Sequence, residues 1–523
     1  MKSYKIKLSS RTAARIATGT TEKSLKWKSY KNLVALGISF FLLFSVFQAL
    51  STLQTSVNAY RELGSTSMCI IYGFFICSGL FLPKLLISYL TIKWTMVLCM
   101  FMYTSFVAVN FKPAWYTLFP TSVLLGLAAG PLWISQSVYV TSMSKLLSKP
   151  VSGNEEKNDK NRVDISVIST PQPPSNSVGT MVNCKKFTMK IGEIGTRTIE
   201  NSEQAGNMAP FLFGIFFTFY NTGMVFGQLI SSLTLRSDIV TKSRDNYSIF
   251  NHSINCGSAF CFNYETEASI FKPSLAKMYT LYAVYTAVSL SALLVVAIFV
   301  DNLPRESVKD ENGIERDNSV STMCLSTLNQ MRDPRQLLLI PLSVYYGLHQ
   351  GFISADFSKA YVTCYYGVAY LGFVMMVYGG VSAIVCPISG YLTKKLPCWS
   401  LFLIAAITHS CIVYPTLTFA TQDFSSHFYL MFIVAGLSGF FYGLCQPQIS
   451  GLYSSIFPRN PEPAFANHRL WESVGVIISF SYHEVLCMKS KLIFLTAILA
   501  LATVSYIVLE TRLKRKSRDN QHI

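Results

Sequence analysis

Two pairs of oppositely charged residues interrupt segments of the sequence that are otherwise apolar. Asp356 and Lys359 are three residues apart, and so are Arg469 and Glu472. Residues three apart share a face of an α-helix, so each pair is spaced to form an ion pair. Asp356 and Lys359 either line a transport site or form an interfacial pair, because an intramembrane charge needs a partner, water or a function. Arg469 and Glu472 either latch two helices together or anchor one helix start.

Uncharged polar residues extend the set of candidates. A glutamine in an apolar segment is either an interhelical hydrogen-bonding residue or a cavity ligand. These residues fall in the first, fourth, seventh and tenth apolar segments, the expected cavity-lining set of a transporter built from two six-span halves. The candidate cavity or transport residues are Gln48, Gln54, Gln136, Tyr139, His349, Gln350, Asp356, Lys359, Gln446 and Gln448.

The sequence carries no motif for catalysis, nucleotide binding or metal binding. It has no Walker loop, no nucleotide-binding glycine motif after a strand, no Cys/His metal spacing and no nucleophile elbow. His483-Glu484 resembles half of a zinc-protease motif, but Cys487 stands where the second histidine is required. We therefore predict a protein that is not an enzyme and uses no cofactor or metal.

The composition places these polar residues in a membrane. Of the 523 residues 51% are hydrophobic and only 14% are charged, whereas about a quarter of a soluble domain is charged. A soluble enzyme and a disordered chain are both excluded. Because a spanning helix needs about 20 apolar residues, the sequence predicts an all-α integral membrane fold. The twelve predicted spans are 33–54, 68–90, 94–111, 116–142, 209–234, 278–300, 336–356, 364–388, 399–420, 428–453, 470–487 and 490–510.

Most of the net charge of +17 lies in the two tails. The N-terminal tail, 1–32, carries +8 and the C-terminal tail, 511–523, carries +4. Basic blocks beside membrane spans mark the cytoplasmic side, so both tails are predicted to be cytoplasmic and the number of spans to be even. Charge placed in this way indicates orientation in a lipid bilayer and no nucleic-acid partner.

The loop 235–277 is predicted to lie outside the cytoplasm. Asn246 and Asn251 each begin a glycosylation acceptor sequence. Cys256 and Cys261, in the same loop, either form a disulfide with each other or remain free thiols.

Two cytoplasmic loops organise the chain. The loop 143–208 is rich in Ser, Asn, Lys, Glu and Pro and is predicted to be disordered. The linker 301–335 separates two six-span bundles, 33–300 and 336–510. Gly126-Leu127 precedes Gln136 as Gly436-Leu437 precedes Gln446, 310 residues later, which indicates an internal repeat.

Four stretches of the sequence resemble one known family. They are KWTMVL at 93–98, WYTLFPTSVLLG at 115–126, YVTC at 361–364 and AFANHRLWE at 464–472. Over nearly all of residues 30–510 the chain resembles the A-type members of the uncoordinated-93-like family, a branch of the major facilitator superfamily. The family's acidic-x-x-Lys element stands at Asp356 to Lys359, and its Arg-Leu-Trp-Glu element begins at Arg469.

The resemblance implies a twelve-span major facilitator fold and a role in regulating a membrane partner such as a potassium channel subunit. A secondary transporter of a small solute and a trafficking chaperone for membrane receptors are the alternatives. Thr91-Ile92-Lys93 replaces the superfamily's G-x-x-x-D-R-x-G-R-R loop, which argues against ordinary alternating-access gating. The expected location is the plasma membrane, with the endolysosomal membrane as the alternative.

Overall fold

The computed structural model is built from helices throughout the residues that it describes. These residues are 10–57, 63–148, 208–234, 256–261, 275–303, 327–366, 370–393, 395–418, 428–458, 461–482 and 486–521. Asn246 and Asn251 lie outside them, as do most of the loop 143–208 and of the linker 301–335.

The described residues contain twelve long helices, which we label in chain order. The stretch Leu63–Val109 is broken at Thr91, so it supplies both α2 and α3. The helices are α1 Ser10–Val57, α2 63–90, α3 92–109, α4 Trp115–Ser148, α5 Met208–Thr234, α6 Leu275–Phe299, α7 Pro334–Thr363, α8 Leu371–Leu392, α9 Cys398–Thr418, α10 Tyr429–Ile456, α11 Pro461–Ser481 and α12 Met488–Gln521.

Ten stretches of the described chain are long and apolar enough to cross a membrane. One of them, Leu85–Val109, begins in α2 and continues across Thr91 into α3, α2 also contains the shorter apolar segment Ile70–Gly79, and α11 is absent from the ten. The helix α11 is too polar because it carries Asn467, His468, Arg469 and Glu472, all of them buried. The all-helical membrane fold is confirmed, while the count of twelve spans stays a prediction.

A sharp backbone break separates α2 from α3. Thr91 has φ 74° and ψ 160°, a backbone conformation that residues with a Cβ seldom adopt. The Thr91 hydroxyl donates to Oδ1 of Asn302, which follows α6, at 3.4 Å. The chain thus turns within one residue at the position where the sequence lacks the usual superfamily loop.

For description we call α1–α6 the first helix group and α7–α12 the second. Within the first group, α6 contacts α1 and the stretch 63–109, and α2 contacts α4; within the second, α7 contacts α11 and α12, and α10 contacts α8 and α9. The contacts between the groups that concern the site run from α2 and α4 to α11 and from α5 to α8.

Glycines permit the closest helix approaches. A Cβ at Gly126 would meet Ile71 and Phe74 of α2, and one at Gly439 would meet the backbone of Tyr378 on α8. Between α7 and α11, a Cβ at Gly347 would collide with the Glu472 carbonyl. Small residues bring membrane helices within backbone contact in this way, which fixes the polar residues of α11 against α7.

Ion pairs hold the chain at the end of the bundle where α6 ends and α7 begins, called here the terminal end. Nζ of Lys31 lies 2.8 Å from Oδ2 of Asp301, and this ammonium holds the pKa of the carboxyl below its ordinary value. Asp333 caps α7 by accepting from the Arg335 backbone N–H, and the Arg335 guanidinium likewise lowers the Asp333 pKa. Both carboxylates are therefore ionised partners at neutral pH.

Candidate functional site

A buried ion pair lies in the middle of α11. Nη1 of Arg469 donates to Oε2 of Glu472 at 2.7 Å, and the two residues are only 5% and 7% exposed. Since α11 begins at Pro461 rather than at residue 470, the pair stands more than two turns inside the helix. It therefore does not anchor the helix start.

Aromatic residues of the first helix group cover this ion pair. The Arg469 guanidinium carbon lies 4.5 Å from the ring centre of Trp133 on α4, a distance suited to a cation–π contact. Trp133 packs edge-on against Tyr220 of α5 with centroids 5.2 Å apart. We call Trp133, Tyr220, His468, Arg469 and Glu472 the central cluster. It joins the two helix groups through a charge that is desolvated but paired.

His468 connects the central cluster to α7 and α10. Its Nδ1 lies 3.0 Å from Oγ of Ser343, and its Nε2 lies 3.8 Å from Oε2 of Glu472. The Tyr453 hydroxyl is 3.2 Å from the same Ser343 oxygen. Polar side chains of three helices thus satisfy one another inside the bundle, as buried polar groups must.

Gln446 and Gln448 form different contacts although they are two residues apart. Oε1 of Gln446 accepts from Nδ2 of Asn221 at 3.1 Å, which connects α10 to α5 of the other group. Nε2 of Gln448 donates to the Ser389 carbonyl at 2.9 Å, which connects α10 to α8 of its own group. Both act as interhelical hydrogen-bonding residues in this structure.

The other predicted glutamines do not converge on one point. Oε1 of Gln136 accepts from the adjacent Ser137 hydroxyl at 3.1 Å, and the Gln136 residue is buried. Gln48 interacts with Tyr220 of the central cluster. Gln350 is half-buried, and the Gln54 side chain lies outside the described residues.

Tyr139 of α4 contacts the end of α6. Its hydroxyl donates to the Asp301 carbonyl at 2.9 Å, so it ties α4 to the end of α6. The sequence placed Tyr139 with Gln136 because both belong to α4. Although Tyr139 is only three residues from Gln136 along α4, its hydroxyl reaches the terminal end.

His349 packs against a histidine that sequence reasoning missed. Its ring centre lies 5.3 Å from that of His409 on α9, and Phe441 contacts both rings. Both histidines are buried, and none of their ring nitrogens has a hydrogen-bond partner among the described residues. No sequence signal linked them, because α7 and α9 meet only after folding.

Asp356 pairs with Lys491 of α12, a residue outside the predicted set. Nζ of Lys491 lies 2.6 Å from Oδ1 of Asp356, and both side chains are buried. The segment Phe352–Thr363 is a π-helix, whose turns take more residues than those of an α-helix. Residues three apart therefore do not share a face here. The prediction that Asp356 pairs with the half-buried Lys359 assumed an α-helix, so it loses its basis.

Cys256 and Cys261 are neither bonded to each other nor free thiols, so both alternatives offered by the sequence are wrong. Cys256 is bonded to Cys364, directly after α7, and Cys261 to Cys487, directly before α12. The Met488 backbone N–H also donates to the Phe260 carbonyl at 2.9 Å. The loop segment lies across two helix ends, so each cysteine faces a different helix. The predicted topology could have indicated these partners, because Cys364 and Cys487 flank spans on the same side of the membrane as the loop.

A tryptic digest without reduction will separate the two pairings. No Lys or Arg lies between Cys256 and Cys261, so both remain on one loop peptide. We expect mass spectrometry to find that peptide joined to the peptides of Cys364 and Cys487. In Cys364→Ser the peptide of residue 364 should be released, while the peptide of Cys487 should stay joined. Cys411→Ser, at an exposed free thiol, is the control and should change nothing. A loop peptide closed only on itself would refute the crossed pairing.

Within the described ranges, no group of three His, Cys, Asp or Glu side chains is placed to hold a metal ion. The assembled polar groups are instead two ion pairs, one histidine pair and several interhelical hydrogen bonds. Arrangements of this kind can hold helices together, bind an ionic solute or transfer a proton.

Solved transporter structures share this arrangement of helices. The fucose transporter FucP, in its outward conformation, aligns with 91% of this chain and 98% of its own at TM-score 0.57 and 13% identity. The human organic anion transporter MFSD10 aligns with 92% and 99% at TM-score 0.55 and 10% identity. The chain is therefore a multi-pass membrane protein with the major facilitator fold.

Sequence comparison identifies the family within this fold. The model described as "Ion channel regulatory protein UNC-93" matches residues 54–149 and 207–507. Protein unc-93 homolog A is 32% identical in Homo sapiens, covering 92% of this chain and 93% of that protein, and 31% identical in Xenopus laevis, covering 92% of each. The chain belongs to the UNC-93 family. A relative in Caenorhabditis elegans, named provisionally as a potassium channel regulatory protein, is 25% identical over 93% of this chain and 61% of its own length.

Proposed function

We propose that the protein regulates another membrane protein, and that a potassium channel is the first partner to test. The central cluster carries this proposal. Arg469 and Glu472 are already paired with each other beneath Trp133, so a solute entering between the helix groups would have to break that pair. The family description and the name given to the Caenorhabditis elegans relative support the same proposal.

Co-expression tests the proposal directly. Potassium currents of a panel of potassium channels are recorded with and without the protein in the same cells. We expect at least one channel to change its current at least twofold and to co-purify with the protein. Surface biotinylation in these cells checks the proposed plasma-membrane location.

The specificity control is a neutral pair at a second buried site, Asp356→Asn with Lys491→Met. This double variant removes both charges together, so it leaves neither one buried alone. A regulator is expected to keep its effect on the current in this variant. No current change across the panel, together with proximity labelling in the native cell that identifies no channel, would refute the proposal.

A small-solute carrier is the second candidate, and the buried Asp356–Lys491 pair favours it. Charged groups deep in a transporter are frequent binding or proton-relay residues. A carrier is expected to move a labelled solute or protons into proteoliposomes and to lose that activity in the same neutral-pair variant. Failure to move any solute of a broad panel would refute it, and proximity labelling of receptors would instead favour a trafficking chaperone.

A further inference from the structure

An apolar cavity of about 200 Å³ lies inside the second helix group, away from the central cluster. Its walls come from α7, α9, α10 and α12 and include Leu342, Ala406, Phe441 and Ala502. The hydroxyl of Thr503, which also lines the cavity, already donates to the Leu499 carbonyl at 2.8 Å. The space is therefore suited to a hydrocarbon.

The cavity opens on the outer surface of the helix bundle. Leu403 of α9 and Ile507 of α12 line it and are 47% and 57% exposed. Both helices contain stretches long and apolar enough to cross a membrane, so the surroundings of this opening are the lipid chains themselves. Trp399, the second residue of α9, also lines the cavity and places its mouth near the terminal end.

Basic residues flank the mouth at that end. Lys395 stands just before α9, and Arg512 and Arg515 follow the lining residues of α12; all three are exposed. Lys514 lies one turn beyond Glu510 and pairs with it at 3.5 Å. Among the described side chains flanking the mouth there are thus four cations and one carboxylate, which favours an anionic group at the level of the lipid headgroups.

We infer that the cavity binds one acyl chain of an anionic glycerophospholipid from the leaflet at the terminal end. The chain lies between Phe402 of α9 and Ala502 of α12, and the phosphate lies near Lys395 and Arg515. An acyl chain that arrives from the bilayer leaves hydrocarbon rather than water, so it gains no hydrophobic stabilisation on entering the cavity. Selectivity must therefore come from the headgroup charge and from the fit of the chain.

A photoactivatable lipid tests this inference on the full-length protein in nanodiscs. The probe is phosphatidylserine with a diazirine on one acyl chain, and the crosslinked peptides are mapped by mass spectrometry. We expect labelling on α9 and α12, displaced at least fivefold better by unlabelled phosphatidylserine than by phosphatidylcholine. Equal displacement by both lipids would overturn the anionic selectivity.

Two variants close the cavity in different ways. Ala502→Phe fills it from within, and Leu403→Trp blocks the mouth at an exposed position that needs no core rearrangement. Leu501→Phe is the matched control, because Leu501 is adjacent in sequence but faces outward with 52% exposure. Labelling should fall at least fivefold in the first two variants and persist in the control. Undiminished labelling in Leu403→Trp would overturn the cavity as the site.

A final comparison separates an acyl chain from a hydroxyl-bearing ligand such as a sterol. Tyr345 lines the inner wall, and its hydroxyl has no hydrogen-bond partner in the described chain. Tyr345→Phe should leave labelling by the phospholipid probe unchanged, since an acyl chain cannot bond to that hydroxyl. Loss of labelling in Tyr345→Phe, or displacement of the probe by cholesterol, would overturn the assignment.

Discussion

Arg469→Leu will lower the stability of the protein by about 3–5 kcal/mol, because it leaves the Glu472 carboxylate buried without its guanidinium partner. The cation–π contact with Trp133 is lost in the same step, which weakens the joint between α4 and α11. The measurement is thermal unfolding of detergent-solubilised protein followed by size-exclusion chromatography. We expect a clear fall in the midpoint or loss of the monodisperse peak.

Two control variants decide whether burial of the charge is the cause. Arg469→Leu combined with Glu472→Gln removes both charges and should recover much of the lost stability, since the cost lies in the unpaired carboxylate. Arg335→Leu breaks a pair with Asp333 that is partly exposed, and its effect should be about 1 kcal/mol or less. Equal losses in Arg335→Leu and Arg469→Leu would contradict the proposed role of the buried pair.

Lys491→Met will also destabilise the protein, because it removes the α12 cation from the buried Asp356 carboxylate. We expect a loss of about 3–5 kcal/mol, which is typical of broken buried pairs. Lys491→Arg retains the charge and should lose less. The readout is the same unfolding midpoint.

The matched control is Lys31→Met, which breaks an ion pair of similar length with Asp301. Both of those side chains are substantially exposed, so solvent screening limits the effect to about 1 kcal/mol. Double replacement of Asp356 by Asn and Lys491 by Met should restore much of the stability. If Lys31→Met proved as damaging as Lys491→Met, burial would not be the deciding factor.

The fold class was predictable from sequence because the length and apolarity of a spanning segment are local properties. The spacing of Arg469 and Glu472 also indicated their pairing, since both residues lie on one helix three positions apart. Local spacing was misleading at Asp356, where a π-helix replaces the α-helix on which the prediction depended. It was misleading again at Cys256 and Cys261, where the nearest cysteine in sequence is not the nearest in space.

By itself, the sequence determined an all-helical membrane protein with basic tails and a small set of polar residues inside apolar segments. Only the tertiary structure decided what those residues contact. Lys491 reaches Asp356 across 135 positions of sequence, and Trp133 covers Arg469 from the other helix group. Hydropathy is a sum over neighbouring residues, whereas a buried charge selects its partner through helix packing. That packing depends on distant glycines such as Gly347, which bring α7 and α11 into backbone contact.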